Sequence, residues 1–469
     1  MYYGSTRGEA PTLSFDDVVL AGLARDGGLY VPATWPPLAG AALTALRDAT
    51  YAEVAARVMA PFAAPCLDEA ALHDIAADAY ASFDHPDVAP LIPLGDNLFL
   101  LELFHGPTLA FKDYALQILG RLFERILAQR SERITIIGAT SGDTGSAAIE
   151  ACRDRDRIEI FILHPRGRTS EVQRRQMTTV AAGNVHNVAV EGTFDDCQAL
   201  VKALFADAAF RDRMGLAAIN SINWARIAAQ VVYYARAALA LGAPEREVDF
   251  AVPTGNFGNV FAGYVAKRIG VPIRRLIVGS NSNDILTRFF HSGRMEVTAV
   301  HPTLSPSMDI QVSSNFERLL FDLYDRDAAA VRSLMAGLRD TGKFTIDADR
   351  LEVARALFPA ARFDDRETTA TIRAVYRNRN IILDPHSAIG VAAARRCMED
   401  ASVPTIALAT AHPAKFSDAV ERAIGSRPPL PPALADLMDR EEHYAILPAE
   451  TDAIRDHIVR AHSEREVPA

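Results

Sequence analysis

The sequence predicts an α/β protein built on parallel sheets with helices on both faces, preceded by a mostly helical N-terminal region. Two observations predict it. From Leu98 onward, short β-branched runs alternate with helical stretches. Several of these runs end in a glycine-bearing loop that opens a helix, which is the strand–loop–helix unit of a parallel sheet. At 469 residues the chain has room for two or three domains and a substantial core.

Taken in order, residues 1–95 read as helical, with a turn at Asp26-Gly27-Gly28. A helix follows Lys112, because Leu116, Leu119, Leu122, Phe123, Ile126 and Leu127 recur at helical spacing. Residues 133–137 form a buried-strand candidate, followed by a loop over 138–145 and a helix over 147–153. Residues 158–163 and 185–190 are the next strands. Residues 248–252 run through the loop 253–259 into a helix over 260–268, and 275–278 form another strand. Residues 405–409 run into the loop 410–413 and a further helix. The expected division is an N-terminal domain over 1–95, an α/β domain over 96–240 and a second α/β domain over 241–469. Ligands of such sheets sit at the carboxyl ends of the strands.

Composition narrows the function. Acidic residues outnumber basic ones, 59 to 49, for a net charge of −10. That disfavours nonspecific nucleic-acid binding. No run approaches the ~18–20 apolar residues of a membrane span, and the first residues do not read as a secretory signal. Cys66, Cys152, Cys197 and Cys397 are far apart and form no CxxC pair, so neither a metal site nor a disulfide framework is expected. A cytoplasmic enzyme acting on a small molecule, without membrane or nucleic-acid partners, is the expectation.

Lysine occurs at five positions only, Lys112, Lys202, Lys267, Lys343 and Lys415, so 44 of the 49 basic residues are arginine. A coding bias accounts for most of this. If the chemistry needs a nucleophilic amine, however, these five side chains are the whole choice. Lys112 lies between apolar neighbours near a helix start, where the positive end of the helix disfavours an ammonium. A lowered pKa there favours a free amine and imine formation. The plainer alternative is a lysine whose stem packs while its head reaches solvent. Lys415, after His412-Pro413, is the only other serious candidate.

Two loops suit anions. Pro253-Thr254-Gly255-Asn256-Phe257-Gly258-Asn259 leaves a strand and enters a helix, so its backbone N–H groups can turn toward a phosphate. It is neither a Walker loop nor GxGxxG. A simple glycine turn at a helix start is an equal reading. Ala139-Thr140-Ser141-Gly142-Asp143-Thr144-Gly145 has the same setting and would suit a carboxylate; an N-cap cluster is the plainer reading of it.

Together these motifs resemble the threonine synthase family of pyridoxal-phosphate (PLP) enzymes, of the tryptophan-synthase-β-like fold type II. The resemblance runs through Tyr3–Gly8 (YGSTRG), the segment 23–32, 101–117, 139–148, 253–267, the stretch SPSMDIQVSSNF at 305–316, Leu383-Asp384-Pro385-His386, and LATAHPAKF at 408–416. It implies two parallel-sheet α/β domains with the cofactor between them, and a catalytic Lys112 that forms the imine with PLP. It assigns Gly255, Asn256, Phe257, Gly258 and Asn259 to the cofactor phosphate, Thr410 to the pyridine nitrogen and Asp143 to the 3′-oxygen. Thr140, Ser141, Gly142 and Thr144 fall to the substrate carboxylate. Lys415, Ser307, Asn281 and Asn283 are candidates for the substrate phosphate, each of which could equally be a structural cap. The implied reaction turns O-phospho-L-homoserine and water into L-threonine and phosphate, and the implied state is a monomer. Two rivals stand beside it: another fold-type-II lyase, such as a threonine/serine dehydratase or a phospho-lyase, and a nucleotide-binding or regulatory protein that uses the glycine loops without PLP.

Overall fold

The computed structural model describes residues 1–466. Packing divides the chain into two compact units. The first comprises Met1–Ile118 and Ser221–Pro429, and the second Leu119–Asn220 with the chain from Leu430 onward. The boundaries expected at 95 and 240 follow sequence order and do not coincide with these units. The reason is strand pairing: Leu98–Glu102 runs parallel to Thr405–Ala409, so segments about 300 residues apart share one sheet.

That sheet, in the first unit, has six strands. Their order is Ala360–Arg362, Ile273–Ser280, Val248–Pro253, Thr405–Ala409, Leu98–Glu102 and Leu91–Gly95. All neighbours are parallel except the last pair, a hairpin over 91–102. The central strands Val248–Pro253 and Thr405–Ala409 are buried along their whole length. Continuous burial explains why their sequences are apolar runs rather than alternating patterns. The helix Pro385–Cys397 packs on them, with Ile389 and Val391 closing on Ala251, Ile277 and Ala407. Each such buried aliphatic side chain contributes about 1.5–3 kcal/mol. Asp249, fully buried inside a strand, is held by Arg274 and Arg275, whose guanidinium groups donate to its two oxygens.

The N-terminal part of this unit is helical, as expected, with helices Phe15–Ala21, Tyr51–Ala63 and Glu69–Tyr80. It also holds a two-stranded antiparallel ribbon, Tyr3–Ser5 with Tyr30–Pro32, that hydrophobic periodicity did not reveal. Thr50 and Glu53 form a reciprocal capping box at the start of the second helix.

The second unit is built on a five-stranded parallel sheet in the order Ala445–Pro448, Val185–Glu191, Ile158–Pro165, Ile134–Ala139, Leu216–Ala217. The three expected strands form its centre. The two edge strands, of four and two residues, are too short to give a periodic signal. No helix among the described residues is long and apolar enough to cross a membrane.

Candidate active site

Three neighbouring parallel strands of the six-stranded sheet launch the site from their carboxyl ends. Val248–Pro253 leads into the loop 254–257, Thr405–Ala409 into 410–412, and Leu98–Glu102 into 103–111. The last two segments pair with each other. The Phe111 N–H donates to the Thr410 carbonyl at 2.9 Å, and the His412 N–H donates to the Leu109 carbonyl at 3.0 Å. An antiparallel bridge joins Ala110 and Ala411. Lys112 and Thr410, 298 positions apart in sequence, are therefore carried on adjoining backbone.

Lys112 opens the helix Lys112–Arg130 and is 9% exposed. Its turn is held from beneath by Asp113. The Asp113 carboxylate accepts from the Thr108 N–H at 2.9 Å and from the Thr108 hydroxyl at 2.6 Å. Burial pushes the Asp113 pKa up to about 6, opposed by the Thr108 bonds and the Lys415 charge. A Cβ on Gly106 would lie 2.5 Å from the Asp113 Cβ, so the residue at 106 must be glycine for this turn to close. Lys415, expected near the substrate phosphate, is 1% exposed, and its ammonium donates to the Thr108 carbonyl at 2.5 Å. Its observed contacts therefore support the Lys112 turn. Asn281 and Asn283 likewise bind within the protein: their amides donate to Asp309, at 2.7 and 2.9 Å, pinning the 301–309 segment.

The loop 254–259 has the chemistry of an anion cradle. Phe257 is the N-cap of the helix Gly258–Ile269, at φ +61°, and no side chain caps that helix. A buried non-glycine residue in this region is strained, and the surroundings must hold it there. They do: the Asn315 N–H and Nδ2 donate to the Asn256 carbonyl, and the Ser313 hydroxyl donates to the Gly255 carbonyl. A Cβ on Gly255 would sit 2.9 Å from the Ser307 carbonyl oxygen. Asn259 supplies the test of fit. Its Oδ1 accepts from the Tyr233 hydroxyl at 2.6 Å, which turns Nδ2 the other way. That Nδ2 is buried and has no partner. An orphaned donor beside an uncapped helix start calls for an anion, and a cofactor phosphate fits it.

On the second unit, the loop Thr140–Gly142 follows the strand Ile134–Ala139 at its carboxyl end. The Thr140 hydroxyl accepts from the N–H groups of Gly142 and Gly145, at 3.0 and 2.9 Å, so it is spent on shaping the loop. Ser141 is exposed and Thr144 partly so. Asp143 is buried and its Oδ1 accepts from Gln173 Nε2 at 2.7 Å.

Several supporting residues carried no signal that sequence reasoning used. Glu317 accepts from the Thr6 hydroxyl at 2.6 Å and, with both oxygens, from Arg7. The N-terminal YGSTRG motif thus braces the helix Phe316–Leu323 that follows Asn315. Buried Arg318 donates to the carbonyls of Tyr30 and Ile222 and to Asn315 Oδ1. Burial lowers its pKa to about 9.

A buried lysine at a helix start, a hydroxyl residue on adjoining backbone and an uncapped helix start with an orphaned buried amide fit a pyridoxal-phosphate-dependent enzyme. The family profile with that description, "Pyridoxal-phosphate dependent enzyme", matches residues 88–334. Profiles described as "Threonine synthase N terminus" and "Threonine synthase, C-terminal" match residues 2–80 and 387–458. The chain is 54% identical to the threonine synthase of Pseudomonas aeruginosa over the full length of both. A PLP-bound threonine synthase crystal structure from Brucella melitensis superposes with a TM-score of 0.96 at 54% identity, covering 98% of this chain and 99% of that one. The yeast threonine synthase structure superposes at 0.93 with 40% identity, covering 99% of each. The chain belongs to the threonine synthase family.

Proposed function

We propose that this chain converts O-phospho-L-homoserine and water to L-threonine and phosphate, with Lys112 as its one mobile base. The observation that carries the reading is the unpartnered Asn259 Nδ2 at an uncapped helix start, which follows the strand next to the one that brings Thr410 against the Lys112 segment.

Asn259 Nδ2 and the N–H groups of Gly255, Asn256, Phe257, Gly258 and Asn259 would hold the cofactor phosphate, and Thr410 would serve the ring nitrogen. Asp143 is assigned to the 3′-oxygen, and Thr140, Ser141, Gly142 and Thr144 to the substrate carboxylate. For Thr140 this assignment rests on its backbone, since its hydroxyl shapes the loop. Bound there, the cofactor supplies a sink for the negative charge that develops at substrate carbons.

Lys112 takes the proton from Cα, releases it, and as a free amine again takes one from Cβ. The C–O bond at Cγ breaks and phosphate leaves with the bonding electrons. A proton returns to Cγ, water delivers hydroxyl to Cβ while its other proton goes to the released phosphate, and a last proton returns to Cα. One base serves three neighbouring carbons, which requires a flexible stem; lysine has one and arginine is too basic for the task. The reading extends to a monomeric, cytoplasmic enzyme. Product analysis tests the reaction. A synthase releases threonine and phosphate, whereas a phospho-lyase of the same fold releases 2-oxobutanoate, ammonia and phosphate.

A further inference from the structure

The Asp384 carboxylate is completely buried and accepts four hydrogen bonds. Oδ1 takes the His386 N–H at 2.9 Å and the His386 ring Nδ1–H at 2.8 Å. Oδ2 takes the Ser387 N–H at 3.2 Å and the Ser387 hydroxyl. Two of these are ordinary N-capping of the helix Pro385–Cys397. The other two orient side chains whose remaining contacts point away from the helix.

His386 Nε2 accepts from the Ser307 N–H at 3.2 Å. An accepting Nε2 requires the Nδ1–H tautomer, and Asp384 selects that tautomer. Ser307 is the residue whose carbonyl oxygen closes on Gly255. The Ser387 hydroxyl, with its proton directed to Asp384, accepts from the Thr410 N–H at 3.1 Å. One carboxylate therefore orients two arms that end on different parts of the site.

We infer that Asp384 is a shared positioning residue, setting the phosphate end of the cofactor site through His386, Ser307 and Gly255, and the ring-nitrogen end through Ser387 and Thr410. This rests on the assignment of Gly255 and Thr410 proposed above. A helix cap alone needs no imidazole tautomer and no hydroxyl relay. Two arms with separate end-points also make separable effects, which a purely structural role would not produce.

The test uses holoenzyme of the wild type and of His386→Phe, His386→Gln, Ser387→Ala and Ser387→Thr. Two quantities are read on each: the dissociation constant for PLP, and the visible spectrum of bound cofactor as a function of pH. Melting temperature serves as the control for folding. His386→Phe removes the Ser307 acceptor and weakens PLP binding by about tenfold, the weight of one lost hydrogen bond, with an unchanged spectrum. His386→Gln, which restores an acceptor, recovers most of the affinity. Ser387→Ala shifts the spectral titration with PLP affinity within about threefold of wild type, and Ser387→Thr restores the titration. Affinity and spectrum changing together in both arms, or neither changing, overturns the proposal. If His386→Phe fails to fold, His386→Gln and the Ser387 pair still decide it. The underlying site assignment fails separately, if Lys112→Ala still holds PLP covalently or Asn259→Asp binds it as tightly as wild type.

Discussion

The Phe111 backbone N–H donates to the carbonyl oxygen of Thr410 at 2.9 Å. With the His412 N–H bond to the Leu109 carbonyl, this bond sets a lysine at residue 112 beside a hydroxyl residue at 410, between segments leaving adjacent strands. A substitution that distorts either segment therefore disturbs both residues at once.

The unpartnered Asn259 amide gives the sharpest binding prediction. Asn259→Asp keeps the size and the acceptor for Tyr233 but puts a carboxylate at the phosphate cradle. PLP affinity falls by roughly 100-fold, about 2.7 kcal/mol. Titration of cofactor-free protein followed by visible absorption checks it. Unchanged affinity would mean that the phosphate binds elsewhere.

Gly255→Ala introduces a Cβ 2.9 Å from the Ser307 carbonyl oxygen. Backbone must yield, because neither partner is a flexible side chain. The expected cost is about 1–3 kcal/mol of stability, measured by chemical denaturation, together with weaker PLP binding. A variant as stable as wild type would show that the 305–309 segment gives way freely.

Lys415 separates two roles by kinetics. With the ammonium removed, Asp113 loses its opposing charge in a fully buried setting, so its pKa rises further above about 6. Lys415→Ala then loses roughly 3 kcal/mol of stability, the usual cost of stripping one member from a buried pair. PLP occupancy and kcat fall, while KM for the phosphorylated substrate holds. A raised KM without loss of stability would return Lys415 to the substrate phosphate.

Two histidines near the site act on stability in opposite directions with pH. Burial lowers the His412 pKa to about 4. Below about pH 6.5 the unfolded chain binds this proton and the folded one does not, so stability drains away from pH 6.5 toward 4, by on the order of 3 kcal/mol. For His105, burial acts downward but its bonds to Glu102 and Asp84 prevail, and the pKa is raised. Its contribution is complete below about pH 6.5 and is lost as pH climbs through the folded value. His412→Asn therefore flattens the acid side of a stability–pH profile, and His105→Asn flattens the alkaline side. Profiles that change alike in both variants contradict this assignment.

Much of the site was legible because backbone chemistry leaves marks in sequence. Gly255 and Gly258 advertise a close-approach loop, and scarce lysine isolates Lys112. The central strand Thr405–Ala409 matches its expected bounds because a fully buried strand is an unbroken apolar run. What stayed hidden depends on partners far away in the chain. Glu317 means nothing until Thr6 and Arg7 reach it, and Asn259 becomes a directed donor only when Tyr233 takes its oxygen. No local pattern reveals that the Lys415 ammonium reaches the Thr108 carbonyl and acts on the Asp113 charge.

The most direct measurement is of products. Purified protein loaded with PLP is given O-phospho-L-homoserine, and threonine, phosphate and 2-oxobutanoate are quantified in the same sample. Wild type yields threonine and phosphate in equal amounts, and Lys112→Ala yields neither. Phosphate accompanied by 2-oxobutanoate instead of threonine, or turnover that survives the loss of Lys112, would contradict the proposed reaction.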